Sequence, residues 1–305
     1  MLGILEDTQA MVKAGNVRQL VAEYLSSGGF RKLGRASQQD YHACLGIIKD
    51  DVGHVSLHRL DVPMMQRYYD AWLTRGTYRA NKIAAIMSIL INWGNKNSLN
   101  LNNPMPFLDK TPNPSRKVIW EPGQVKLFLD TAYSEWKWRS IGLIVHMAYE
   151  WGQRVGDMRL LVWSTIDLEK QRVDLTQSKR GEDVHLPISA ALHRLLTEQK
   201  DLFGFQPYVA PQIEARDGAY KPYIKPTLHK YVNQVLAKAN LPDELTAMDM
   251  RRTAITEMVE AGVDITQIKQ VSGHTNINSL TPYINHTFTG ASEALAQRTA
   301  FKEKE

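Results

Sequence analysis

Between Asn100 and Arg116 the chain reads NLNNPMPFLDKTPNPSR, with four prolines and four asparagines in a stretch that carries neither a helical nor an alternating period. Proline removes a backbone donor and disfavours helix in the residue before it, so regular structure has to stop on one side and restart on the other. The flanking parts must each bury their own apolar side chains. A length of 305 residues allows two cores on the usual range of ~100–200 residues per domain, and an apolar share of 43% supplies them while excluding a disordered tail protein. The expected organisation is an extension over 1–14, a helical domain over 15–99, a linker over 100–116 and a larger domain over 117–305 with a tail from 284.

The smaller part has apolar residues at helical spacing in Val17 to Tyr24 (Val17, Leu20, Val21, Tyr24), in Tyr41 to Ile48, and in Lys82 to Trp93 (Ile83, Ile86, Leu90, Trp93). Ser37 is the expected cap of the second of these helices, and Pro63 suits the first turn of another that runs through Trp72 and Leu73. These elements predict a bundle of four or five helices. Up to Lys110 the chain holds thirteen Lys and Arg against nine Asp and Glu, so four of the five net positive charges lie in this part. Two basic clusters stand beside aromatic residues, FRKLGR (Arg31, Lys32, Arg35) and RGTYRANK (Arg75, Arg79, Lys82), of the kind that lies along phosphates. Read alone, they are equally a pair of solvated loops.

The larger part mixes periods. Helices are expected from Pro122 to Tyr133, Ser140 to Trp151, Val155 to Val162, Ala190 to Leu202, Pro226 to Ala239, Asp249 to Ala261, Ile265 to Val271, Ile277 to Tyr283 and Ala291 to Ala300. Between them Val173 and Leu175, then Val184, Leu186 and Ile188, alternate with polar residues around the turn SKRGED, which predicts a β-hairpin. The fold class is thus mainly α with one small β element.

Several function classes lose support. A single cysteine cannot form an internal disulfide, which suits a reducing compartment. The opening residues MLGILEDTQAMVKAG carry acids where a signal peptide carries positive charge, and no apolar run reaches the ~18 residues of a membrane span, so a cytoplasmic protein is expected. No Gly-rich phosphate loop, zinc-type Cys/His spacing or Gly-x-Ser-x-Gly elbow is present. A net charge of +5 permits a nucleic-acid partner without requiring one.

What remains is the placement of cations at element ends. Arg251 falls in the first turn of a helix introduced by Thr246 and Asp249, where the macrodipole disfavours a cation and a bound anion would relieve the misfit. Pairing with Asp249 or Glu257 is the alternative account. Arg154, in WGQRVGDMRLLVW, sits between a buried helix and a short amphipathic one, with Asp157 one turn on to orient it. Lys179 lies at the tip of the hairpin. In SGHTNINSLTPY a Gly-His turn places His274 nine residues before Tyr283.

The order Arg154, Lys179, Arg251, His274, Tyr283 resembles the tyrosine recombinases of the phage-integrase group. GQRVGDMRLLVW resembles that family's first arginine box, with Asp157 at its acidic position, MDMRRT the second, and SGHTNINSLTPY the Gly-His followed by the nucleophile. The resemblance runs from about Val17 to Tyr283. It implies a SAM-like helical core-binding domain followed by a mixed α+β catalytic domain, and catalytic roles for Arg154, Lys179, Arg251, His274 and the nucleophile Tyr283. One position departs: Met248 stands where the second box has histidine, and a thioether neither donates a proton nor accepts one as a base. Slower or partner-dependent cleavage is the implied consequence.

The implied chemistry is attack of Tyr283 on a phosphodiester, giving a 3′-phosphotyrosine and a 5′-hydroxyl. Arg154 and Arg251 would clamp the phosphate, Lys179 would protonate the leaving oxygen and His274 would donate to a non-bridging oxygen. No cofactor and no metal is implied, because the bond energy stays in the phosphotyrosine. The implied partners are double-stranded DNA with a specific core site, a tetramer of the chain on that DNA working through a Holliday junction, and accessory DNA-bending proteins; no membrane is involved. Phage or mobile-element integration and excision is the expected setting. The alternatives are a chromosome-dimer resolving recombinase, a type IB topoisomerase, and a DNA-binding module of this fold that has lost catalysis. About fifteen residues precede the helical domain, too few for the arm-binding domain of lambda-like integrases, which suggests a simpler recombinase or a chain trimmed before residue 1.

Overall fold

The computed structural model describes residues 15–178, 181–215 and 217–283, together with Ser292, Leu295, Ala296, Arg298, Thr299 and Lys302. Lys179, the extension over 1–14 and most of the tail from 284 lie outside the described residues. Contacts divide the chain between Arg116 and Lys117 into two compact units.

The first unit holds α1 (Val17–Ser26), α2 (Gly28–Arg31), α3 (Arg35–Asp51), α4 (Val62–Leu73) and α5 (Thr77–Lys96). Helix α1 starts where the Asn16 side chain accepts from the Gln19 amide, and it buries Val17, Leu20, Val21 and Tyr24 on one face. Asp61 caps α4 in the same way, ahead of Pro63 in its first turn. Ser37 is not a cap: the chain turns into α3 at Gly34, seven residues before the apolar period starts at Tyr41, so Ser37 lies within the first turn. The helices enclose Tyr69, Trp72, Met65, Ile83 and Met87, and Cys44 is fully buried among them. Burial pushes its thiol above the usual range.

Residues 101–111 belong to this core rather than spanning open space. Leu101, Met105 and Leu108 are buried in it. The asparagines act as clamps: Asn95 exchanges hydrogen bonds with the backbone of Leu101, and the Asn103 amide donates to Ser88 and Asn92. Gln66 pairs with both backbone groups of Asp109, and Tyr69 Oη accepts from the Thr111 amide while donating to Asn81.

The second unit is built on α7 (Arg139–Glu150), which is buried along most of its length and packs against α6 (Pro122–Ser134), α8 (Val155–Met158), α10 (Lys225–Lys238) and α11 (Met250–Glu260). Beside it lies an antiparallel sheet in the order β1 (Ile166–Asp167), β2 (Arg172–Thr176), β3 (Asp183–Pro187). Val173 pairs with Leu186 and Leu175 with Val184, so the alternation aims four apolar side chains at the core. The fold is mainly α with this small sheet, and β1 is an addition to the expected hairpin. The Trp151 indole ties the end of α7 to the Pro187 carbonyl at 2.9 Å. Helices α9 (Ala190–Phe203) and α12 (Ile265–Ser272) complete the unit.

Two expected helices are shorter or tighter. The segment Val155 to Val162 is helical only to Met158, because Leu161 and Val162 pair instead with the chain at Tyr208 and Val209. Ile277 to Tyr283 forms two 3₁₀ turns, the second containing Pro282, which cannot donate to a continuing helix.

Candidate functional site

Helix α7 ends at Glu150, and two residues on Gly152, with φ +58°, turns the chain sharply and delivers Gln153 and Arg154 to one side of the core. Arg154 occupies the N-cap position of α8. Its Nη1 donates to Gln177 Oε1 at 2.7 Å and lies 3.8 Å from Asp157 Oδ2. Asp157, itself buried, also accepts from the backbone and hydroxyl of Ser178, so it joins Arg154 to the end of β2.

Arg251 is only 9% exposed, in the first turn of α11 where the helix dipole opposes a cation. Thr246 and Asp249 form the expected capping box on the preceding 3₁₀ turn. Nη1 of Arg251 donates to the Gly152 carbonyl at 3.2 Å. Nη2 lies 3.4 and 3.3 Å from Nδ1 and Nε2 of His274, within contact of both ring nitrogens. His274 Nδ1 is 2.7 Å from Ser272 Oγ. Glu257 accepts both contacts of the Tyr149 hydroxyl, at 3.0 and 2.8 Å. Burial raises the Tyr149 phenol and is also the largest effect on Glu257, raising its carboxyl although the hydrogen bond opposes it.

The Gly-His turn depends on its glycine. Gly273 has φ +62°, and a Cβ there would stand 2.5 Å from Gln177 Nε2. From this turn the chain passes through the two 3₁₀ turns to Tyr283, whose ring centroid is 6.1 Å from that of His274. Arg252 holds the same segment to α11: its guanidinium lies 5.0 Å from the Tyr283 ring centroid and its Nη1 donates to the Pro282 carbonyl at 3.4 Å.

Arg154, Asp157, Arg251, His274 and Tyr283 are thus brought together from segments far apart in sequence. Met248 is exposed at 83% on the turn before α11. In the first unit Arg31, Lys32, Arg35 and Arg75 are exposed, whereas Arg79 and Lys82 lie half-buried on α5 rather than in a loop. Lys82 is already engaged, 2.6 Å from Asp40, whose hydrogen bond raises its ammonium. Sequence reasoning missed Gln153, Gln177, Ser272 and Arg252. The one available signal was for Gln153 and Gln177, uncharged polar residues next to the apolar runs that end at Trp151 and Leu175. Among the described residues no cluster of three His, Cys, Asp or Glu could hold a metal ion, and no helix is long and apolar enough to cross a membrane.

Comparison with known proteins gives a consistent picture. The phage integrase family model matches residues 121–289. Tyrosine recombinase XerA of Pyrococcus horikoshii is 29% identical over 157 residues, covering 50% of this chain and 53% of that protein. Tyrosine recombinase XerC of Pediococcus pentosaceus is 23% identical over 243 residues, covering 75% and 78%. The chain spans about half the length of the archaeal relatives it matches. In fold it is similar to the Tn1549 transposon integrase in complex with transposon right end DNA, with a TM-score of 0.74 at 17% identity over 93% of this chain and 99% of that one. It is similar too to a lambda integrase tetramer bound to a Holliday junction, with a TM-score of 0.74 at 14% identity over 90% and 78%.

Proposed function

Because the chain belongs to the phage integrase family, we propose that it is a site-specific DNA recombinase that cleaves and rejoins strands through a phosphotyrosine formed on Tyr283. The observation that carries this reading is the buried Arg251 at a helix N-terminus, in contact with His274, with Tyr283 beside that histidine. A guanidinium held against the helix dipole in a nearly dry position suits an anion arriving from outside, and the same N-terminus adds positive potential.

On this reading the scissile phosphate lies between Arg154 and Arg251, whose planar donors stabilise the charge that grows on the non-bridging oxygens as the fifth bond forms. If the Ser272 hydroxyl, 2.7 Å away, donates to Nδ1, the ring proton of His274 sits on Nε2, the tautomer that donates to a phosphate oxygen. Tyr283 releases its phenolic proton to solvent as its oxygen attacks phosphorus, the P–O5′ bond breaks, and Lys179 gives a proton to the leaving 5′-oxygen. Asp157 orients Arg154, and Met248 takes no part in proton transfer. In the first unit Arg31, Lys32, Arg35 and Arg75 contact the DNA backbone, with Arg79 and Lys82 behind them. The active assembly is a tetramer on a core site in the cytoplasm, assisted by DNA-bending proteins. Integration and excision of a mobile element is the primary reading. The likeness to XerC over three quarters of the chain supports a second, resolution of chromosome dimers.

The test uses a pool of short nicked duplexes of random sequence. The protein should leave a detergent-resistant protein–DNA adduct that Tyr283→Phe does not form, and sequencing the trapped strands identifies the site. Binding without any adduct would favour a DNA-binding module, and adducts without sequence preference would favour a relaxing enzyme.

A further inference from the structure

We infer that Gln177 is a positioning residue for the phosphate-binding arginine Arg154, orienting it through a one-way chain of buried amides that also locks the Gly-His turn. The inference rests on the recombinase reading above. Gln153 and Gln177 are both fully buried. Gln153 Nε2 donates to the carbonyls of Trp151 and Val271, at 3.0 and 2.6 Å. Those two backbone acceptors decide which way its amide faces, leaving Oε1 toward Gln177.

Gln177 Nε2 then donates to Gln153 Oε1 at 2.6 Å and to the Ser272 carbonyl at 2.9 Å. Its Oε1 is thereby turned to Arg154 Nη1 at 2.7 Å. A flipped amide would set oxygen against two oxygens and nitrogen against a guanidinium, so a single orientation satisfies every partner. A buried polar group left unpaired loses its solvation without compensation, which makes a fully paired chain of this kind a strong selector of one geometry.

The backbone of Gln177 closes the hairpin as well. Its amide donates to the Glu182 carbonyl and its carbonyl accepts from Gly181. One residue therefore joins the segment carrying Arg154, the base of the hairpin and, through Ser272 and the tight approach of Gly273, the turn carrying His274. Amides make no bond to phosphorus and move no proton here; their contribution is to hold the guanidinium where the phosphate needs it before the DNA arrives.

Single-turnover adduct formation on the duplexes trapped by the wild type tests this. Gln177→Met, close to isosteric, should lower the rate at saturating protein by roughly ten- to hundredfold with the half-saturating concentration changed by less than about threefold. A duplex with a methylphosphonate at the scissile position lacks one anionic oxygen, so on it the penalty should shrink to within about threefold, since misplacing a charge partner matters less there. Gln199→Leu serves as control, because Gln199 is equally buried but belongs to a separate network with Arg139 and Val209. If Gln177→Met does not fold by circular dichroism, Gln153→Met removes the same orientation one step back and should show the same substrate-dependent loss. A penalty equal on both substrates, or no larger than that of Gln199→Leu, would overturn the inference. Absence of a wild-type adduct would remove the recombinase reading and this inference together.

Discussion

Gly273 shows how much can hang on a missing side chain. Its backbone is left-handed and its Cα packs against the Gln177 amide, so any Cβ meets both a conformational penalty and a collision. Gly273→Ala should cost about 1–3 kcal/mol of stability in a urea melt, and more than tenfold in adduct formation because His274 follows directly. Unchanged melting would mean that the turn relaxes freely. Met248 is the opposite case. Its side chain is 83% exposed and offers no acceptor for a phenolic proton, so that proton must leave by another route. Arg252 lies over the face of the Tyr283 ring and helps hold it in place, but a guanidinium cannot itself take the proton.

At the level of elements, the Tyr149–Glu257 pair fastens α7 to α11 and so sets the distance between Gly152 and Arg251. Burial raises the Glu257 carboxyl, which means that the folded state resists its ionisation. The sign follows from linkage: there is no penalty below the ordinary carboxylate range, and stability is lost as pH rises through the raised value. Glu257→Gln keeps the acceptor for Tyr149 and removes the charge. It should melt at a higher temperature than the wild type at pH 7, with the difference closing by about pH 4; a constant difference across that range would contradict the assignment. Elements of this kind were largely legible beforehand. The 3.6-residue period marked the core face of α1 and α5, and Pro63 and Pro122 marked starts. Periodicity misled at Leu161 and Val162, where pairing with Val209 and Tyr208 overrides a helical pattern. The charged candidates and Tyr283 could be singled out from their types and order together with the family resemblance. Gln153 and Gln177 could not, since an amide shows its use only when its partners, scattered over more than a hundred residues, are in place.

For the whole chain, the proline-rich seam is less a spacer than a strap. Leu101, Met105 and Leu108 complete the helical core, and Asn95, Asn103, Gln66 and Tyr69 fasten the segment that carries them. A fragment of residues 1–116 should therefore unfold in one cooperative step, whereas one ending at residue 99 should lose about 3 kcal/mol or more from three apolar side chains left without a place. Coincident urea curves for the two fragments would show that the strap adds nothing. Cys44 has a further use at this scale. It is the single cysteine of the chain, it is fully buried, and burial disfavours its thiolate. The protein is thus already a nearly silent background for fluorescence work: a cysteine introduced on any exposed face would be labelled by a maleimide dye while Cys44 stayed dark, and the first DNA encounter could be followed one molecule at a time.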